Sequence, residues 1–355
     1  MKKRLVLCCD GTWNSADQSK NGKLTPTNVV KLAYRVAKRA PDGTPQVLFY
    51  DQGVGTGNSL DRLTGGAFGD GLEDNIFDAF RFLVANYVPG DEIFLFGFSR
   101  GAFTARSIAG MIRKCGILKR TSVGRYVEAL SMYQNPKIHP DDDDAVGYRQ
   151  RHSCCTDEMK IRFVGVWDTV GALGIPLRGL RGLTRGKYEF HDTQLSGIVE
   201  HAYHALAIDE RRSPFEATLW EEVPKPGQWV EQVWFAGVHS DIGGGYPESQ
   251  LSDVALEWML AKAAEKGLAL DPEVQREFTL APDGVRGQLH DSKTGLYRLT
   301  KGFDRPIGTK PRAEGGTQSV HPSVLERWDA DPSYRPANLR KYFEATGDAR
   351  GRGRG

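Results

Sequence analysis

The chain has 355 residues, of which 39% are hydrophobic and 26% charged, enough apolar material to bury a substantial core as one large α/β domain or two smaller ones. Lys and Arg number 47 against 45 Asp and Glu, so the net charge of +2 gives no general attraction to nucleic acid and none is expected as a partner. No apolar run reaches transmembrane length, which excludes a chain built around membrane-spanning helices.

In chain order, "RLVLCCD" opens the sequence as a buried strand. Its basic-then-apolar character resembles a signal peptide, but the apolar part ends at Asp10, too short for one. The expectation is synthesis as a cytoplasmic protein, with export, if any, by a non-classical route. Five cysteines, at 8, 9, 115, 154 and 155, have neither metal-ligand nor disulfide spacing and fit a reduced compartment.

After this strand, Asn28 is placed to cap a helix carrying Val29, Leu32, Ala33 and Val36. "QVLFYDQG" is a second strand, followed by a helix with Asp70 and Glu73 as a capping box and Leu72, Ile76, Ala79, Phe80, Leu83 and Val84 as its apolar face. "EIFLFGFS" is a third strand, and 101–114 a helix stopped by Gly116. Residues 117–160 read as a polar insertion, with Asp141 to Asp144 as a solvated loop. "IRFVGVWD" and "QVWFAGVHSD" are two further strands, flanked by a helix at about 194–207 and another over 252–266. Beyond Gly267 the sequence reads as irregular. The whole predicts an α/β fold, α/β-hydrolase-like, with a mostly parallel central sheet and helices on both faces. It is expected as a single catalytic domain over 1–335, with 336–355 an extension ending in a disordered "ARGRGRG".

The chemistry centres on "FGFSRGAFTAR". A G-x-S-x-G pentapeptide at the end of an apolar strand and the start of a helix is the setting of a nucleophile elbow, with Ser99 the candidate nucleophile. The alternative is a helix-capping serine. A serine hydroxyl needs a base, and the base an orienting acid, in the chain order Ser, Asp or Glu, His. Asp168 ends the next predicted strand and His239 the one after, which brings both to the carboxyl edge of the sheet with Ser99. Asp241 is an alternative acid and His321 an alternative base. The amide of Arg100 and one from Gly11 or Thr12 in "DGTWN" are candidate oxyanion donors, with Asp10 a brace for that loop.

Trp13, Phe98, Trp167 and Tyr246 are candidate pocket walls, "DIGGGYPES" a movable rim, and "YDQGVGTGN" a turn at the site's mouth. Asp10, Asp168, His239 and Asp241 at one sheet edge make a metal site a competing reading, since carboxylates from separate loops can hold a hard cation, but none of them shows helical two-histidine spacing. No metal and no cofactor is expected.

Several of these segments in order, "CCDGTWN", "YDQGVGT", "GFSRGAFTAR", "VWDTVGALG", "ALAIDERRSPF" and "WFAGVHSDIGGGY", resemble an uncharacterised α/β-hydrolase family that includes the catalytic domain of type VI secretion phospholipase effectors. The likeness runs from about residue 4 to 330. It implies a bacterial serine hydrolase cleaving carboxylic esters of lipids, with Ser99 as nucleophile, Asp168 as acid and His239 as base. It also implies a lipid or other ester substrate, peripheral membrane contact, and a secretion or immunity partner of unknown identity. A thioesterase or amidase with the same triad, and a binding module with a vestigial one, are the competing functional readings.

Overall fold

In the computed structural model, the described residues are 2–11, 14–20, 22–53, 67–155, 159–170, 195–220, 224–299, 302–308 and 318–351. Seven strands form one sheet: β1 (Arg4–Cys9), β2 (Gln46–Asp51), β3 (Glu92–Phe98), β4 (Phe163–Trp167), β5 (His201–Ala207), β6 (Trp229–Phe235) and β7 (Gln318–Val320). Every pairing is parallel, in the order β2-β1-β3-β4-β5-β6-β7.

Alternation along the central strands builds two cores. Leu5, Leu7, Ile93 and Leu95 face the helices Ala67–Asn86 and Arg100–Cys115. Val6, Cys8, Phe94 and Phe96 face the helices Asn28–Arg35 and Gln250–Glu265. Because both faces are covered, these strands read as continuous apolar runs rather than alternating ones. Cys8 and Cys9 are therefore interior strand residues.

Several expectations change. The helix expected at 194–207 is strand β5 over its second half, threaded between β4 and β6. Its sequence, HAYHALA, has alanines that favour a helix, but both faces of a central parallel strand are buried and packing overrides propensity. Thr27, not Asn28, caps the first helix: its hydroxyl accepts the Val30 N–H, while Asn28 is buried and donates to the Ile242 and Ser252 carbonyls.

The helix before β3 starts at Ala67, so Asp70 and Glu73 lie inside it rather than at its cap. The supposed insertion contains two helices, Tyr126–Gln134 and Asp143–His152, and the acidic run supplies the second one's N-terminal turn, where carboxylates are favoured. The stretch after Gly267 is also structured. The helix Ala337–Thr346 buries Leu339 and Phe343 against Trp234 and Leu206, so the sheet's core extends into the region expected as an extension. Residues 352–355, which end the "ARGRGRG" tail, lie outside the described residues. Among the described residues, no helix is long and apolar enough to cross a membrane.

Candidate active site

The carboxyl ends of β3, β4 and β6 carry three side chains to one place. Ser99 follows β3 directly, at φ 58° and ψ −120°, a strained region for any residue with a Cβ. It occupies the N-terminal cap position of the helix Arg100–Cys115, yet its hydroxyl makes no capping bond, so the structure does not use it as a capping serine.

The strain is held by close backbone packing. A Cβ on Gly97 would stand 2.2 Å from the Gly101 carbonyl oxygen, and one on Gly101 would stand 2.1 Å from the Cys9 carbonyl oxygen. Backbone cannot yield to such contacts, which explains glycine two residues to either side of Ser99.

Asp168 follows β4 and is likewise at positive φ, 41°. The ladder continues one residue past the strands to fix both: the Ser99 N–H donates to the Trp167 carbonyl, and the Asp168 N–H to that of Ala205. His239 opens a short helix, His239–Gly243, beyond β6.

The three are linked. With its proton on Nδ1, His239 donates to Asp168 Oδ2 at 2.5 Å, leaving Nε2 to accept the Ser99 hydroxyl at 2.8 Å. Asp168 is wholly buried and His239 and Ser99 nearly so, so this hydrogen-bonded line is largely shielded from water. Phe98 packs on the imidazole at 4.6 Å between centroids and Phe215 meets it edge-on at 5.0 Å.

The charges are tuned by their surroundings. Burial alone would push Asp168 up, but the guanidinium of Arg305, with help from His239, outweighs it and holds the carboxyl well below the usual carboxylate range. Burial pulls His239 below its ordinary value, opposed by Asp168. Both effects favour an ionised acid beside an imidazole in free-base form.

The other candidates are placed elsewhere. Asp241 does not orient the His239 ring. Its Oδ2 accepts the Val238 N–H at 3.0 Å and its Oδ1 is 2.6 Å from His290 Nδ1, so it braces the turn that carries His239. His321 caps the helix Pro322–Ala330, hydrogen-bonds Ser323 and stacks on Phe235 at 4.5 Å. Burial lowers its pKa to about 4.

Asp10 accepts bonds from the Gly11 N–H at 2.7 Å, the Thr27 hydroxyl at 2.8 Å and the Tyr50 hydroxyl at 2.9 Å, and burial pushes it up to about 6. The Gly11 amide is thus turned to Asp10, which corrects its candidacy as an oxyanion donor. Thr12 and Trp13 lie outside the described residues, as do 54–58 of "YDQGVGTGN". Arg100 opens its helix, so its N–H belongs to a turn that the helix ladder itself does not use.

The expected pocket walls also move. Trp167 is fully buried in the core and Tyr246 stacks on His290 at 3.8 Å, leaving Phe98 beside the site. The first part of the expected rim is packed instead: a Cβ on Gly243 would fall 2.0 Å from the Phe98 ring, and Gly244 bridges to Thr27. Asp168 and His239 meet, but among the described residues no group of three or more His, Cys, Asp or Glu side chains could hold a metal ion.

Two groups at the site escaped the sequence reading. Arg305 forks onto Asp168, with Nη1 donating to Oδ1 at 2.6 Å and Nη2 to Oδ2 at 3.0 Å. Glu210, beyond β5, accepts the His239 N–H at 3.3 Å and pairs with Arg212 through bonds of 2.9 and 2.8 Å. The position of Glu210 follows from β5 lying between β4 and β6, so recognising that strand would have found it. Arg305 has no local signal.

A seven-stranded parallel sheet flanked by helices, with a strained serine at the turn after its third strand, defines an α/β-hydrolase-like protein. Residues 3–262 match the family described as type VI secretion phospholipase effector Tle1-like, catalytic domain, and the chain belongs to that family. It is also 31% identical over 242 residues to the uncharacterized protein YEL023C of Saccharomyces cerevisiae, a match covering 62% of this chain and 33% of that protein. The chain thus spans about a third of the length of that relative.

Among solved structures, an uncharacterized protein from Pseudomonas aeruginosa aligns with a TM-score of 0.45 and 18% identity, over 79% of this chain and 49% of the other. A Tle1 effector bound to the VgrG spike of the type VI secretion system aligns with a TM-score of 0.38 and 21% identity, over 70% of this chain and 52% of the other. This chain therefore matches about half of each solved chain.

Proposed function

We propose that the protein is a serine hydrolase that cleaves carboxylic ester bonds of lipids, acting as a phospholipase A-like enzyme through an acyl-Ser99 intermediate. The observation that carries this reading is the continuous hydrogen-bonded line from Ser99 through His239 to Asp168 at a strained strand-to-helix turn. Membership of the phospholipase effector family supports the choice of lipid esters over other acyl substrates.

In this scheme His239 Nε2 takes the Ser99 proton as the hydroxyl oxygen attacks the ester carbonyl. The oxyanion that forms is met at the N-terminus of the helix Arg100–Cys115, with the Arg100 amide as donor. Collapse of the tetrahedral intermediate breaks the ester bond, and the imidazolium gives its proton to the departing lipid alcohol. Water, deprotonated by the same imidazole, then releases the fatty acid and restores Ser99. Asp168 fixes the tautomer that points Nε2 at the serine and stabilises the imidazolium.

Peripheral contact with a lipid surface follows from the substrate, and delivery by a secretion apparatus belongs to the same reading. The test is fatty-acid release from phospholipid vesicles and from p-nitrophenyl esters of graded chain length. Release by the wild type and none by Ser99→Ala is expected. Equal release by both proteins would reject the assignment.

A further inference from the structure

The acid at the site is not a bare carboxylate. Arg305 reaches it from 137 positions away in the chain, and the guanidinium side chain is only 1% exposed. Besides its two bonds to Asp168, Nη1 donates to the Ala207 carbonyl at 3.0 Å and Nη2 to the Phe215 carbonyl. Asn338 Nδ2, from the helix Ala337–Thr346, donates to the carbonyls of Arg305 at 3.1 Å and Ile208 at 2.9 Å, so this last helix fixes the segment that carries the arginine. On its other side, Asp168 Oδ1 also accepts the Ala207 N–H at 2.9 Å. Every approach to the carboxylate is thereby occupied, with one oxygen presented to His239 Nδ1.

Serine, histidine and aspartate can relay a proton without a cation behind the acid, and burying a guanidinium is costly. Its consequence is electrostatic. A carboxylate stabilises a neighbouring imidazolium by its charge, and a cation forked onto that carboxylate cancels much of the effect. Glu210, at the His239 amide, is paired with Arg212, and Asp241, two residues on, hydrogen-bonds His290. The Ser99 hydroxyl and the rings of Phe98 and Phe215 also touch the imidazole.

Resting on the proposed roles of Ser99, His239 and Asp168, we propose that Arg305 is a positioning residue that sets the working pH of the hydrolase. It holds the Asp168 carboxylate in the plane that faces Nδ1, and it keeps His239 unprotonated in more acidic medium than an unpaired aspartate would allow. The enzyme thereby trades some basicity in its general base for activity below neutral pH. Burial of the imidazole acts in the same direction.

The experiment is the rate of covalent labelling by a fluorophosphonate, followed from pH 4 to 9 for the wild type, Arg305→Gln and Arg305→Lys. Circular dichroism marks the pH range in which each protein is folded. The wild-type rate should fall only below the ordinary histidine value of about 6.5. Arg305→Gln should move this acidic limb upward by about 1–2 pH units. Arg305→Lys, which keeps the charge but loses the fork, should leave the limb near its wild-type position and lower the plateau rate.

A folded Arg305→Gln with an unmoved limb would overturn the proposal. So would a wild-type limb at or above about 6.5, a result that needs no variant to fold. A wild type that is not labelled at any pH would instead remove the nucleophile reading, and this inference with it.

Discussion

Asp168→Asn probes the site in a way that separates it from a triad with an isolated acid. Four donors converge on the two carboxylate oxygens: Arg305 Nη1 and Nη2, the Ala207 N–H and His239 Nδ1. Asparagine offers one acceptor oxygen, and its NH2 group would face donors on the other side. At least one charge-assisted bond to Arg305 is lost, and the guanidinium remains buried without its counter-charge.

Breaking a buried pair from one side costs about 3–5 kcal/mol. With an unfolding entropy of about 2.1 cal/mol/K per residue, the 355-residue chain has about 0.75 kcal/mol/K, so the melting temperature should fall by about 4–7 °C. Catalysis should fall further, by about 10⁴ in kcat, because Nδ1 loses the acceptor that selects its tautomer. The double variant Asp168→Asn/Arg305→Gln removes the stranded cation and should recover much of the stability while leaving activity low. Differential scanning fluorimetry and ester hydrolysis read the two effects separately. An Asp168→Asn protein that melts within about 1 °C of the wild type, or keeps more than about a tenth of its activity, would refute the reasoning.

Four further outcomes follow from the same geometry. His321→Ala should keep hydrolytic activity within a few-fold of wild type in a p-nitrophenyl ester assay, because that imidazole caps a helix and stacks on Phe235, whereas His239→Ala should lose nearly all of it. Gly101→Ala should give little soluble folded protein by size-exclusion chromatography, since its Cβ would meet the Cys9 carbonyl oxygen at 2.1 Å. Asp241→Ala should lower kcat and thermal stability together, by loosening the turn that presents His239, without moving the acidic limb as Arg305→Gln does. Asp10, raised by burial to about 6, takes up its proton more readily in the folded state, so its contribution to stability is complete below its unfolded value and is lost as pH rises through about 6. Melting curves should therefore favour Asp10→Asn over the wild type progressively between about pH 4 and 7, by up to about 3 kcal/mol.

The central strands were legible because both of their faces are buried, which leaves apolar runs such as Leu5 to Cys9 and Ile93 to Phe96 uninterrupted. The serine turn was legible because its backbone demands glycine at fixed offsets. Where chemistry and local geometry share one short stretch, sequence carries both. Strand β5 was hidden by its own composition: Ala202, Ala205 and Ala207 favour a helix, and only pairing with β4 and β6 makes the segment extended. The helices inside 117–160 were obscured by charge, since a solvated acidic run and a helix N-terminal turn look alike until the chain that follows is packed. Arg305 was illegible for a different reason. It acts through a single side chain on a non-periodic segment, and no local pattern distinguishes it from the other arginines of the chain.

The most direct measurement is intact-mass and peptide mapping after fluorophosphonate treatment of the folded protein. One adduct is expected on the wild type, confined to the peptide bearing Ser99, and none on Ser99→Ala. An unlabelled wild type, or a label that persists in Ser99→Ala, would contradict the assignment of that serine as the nucleophile.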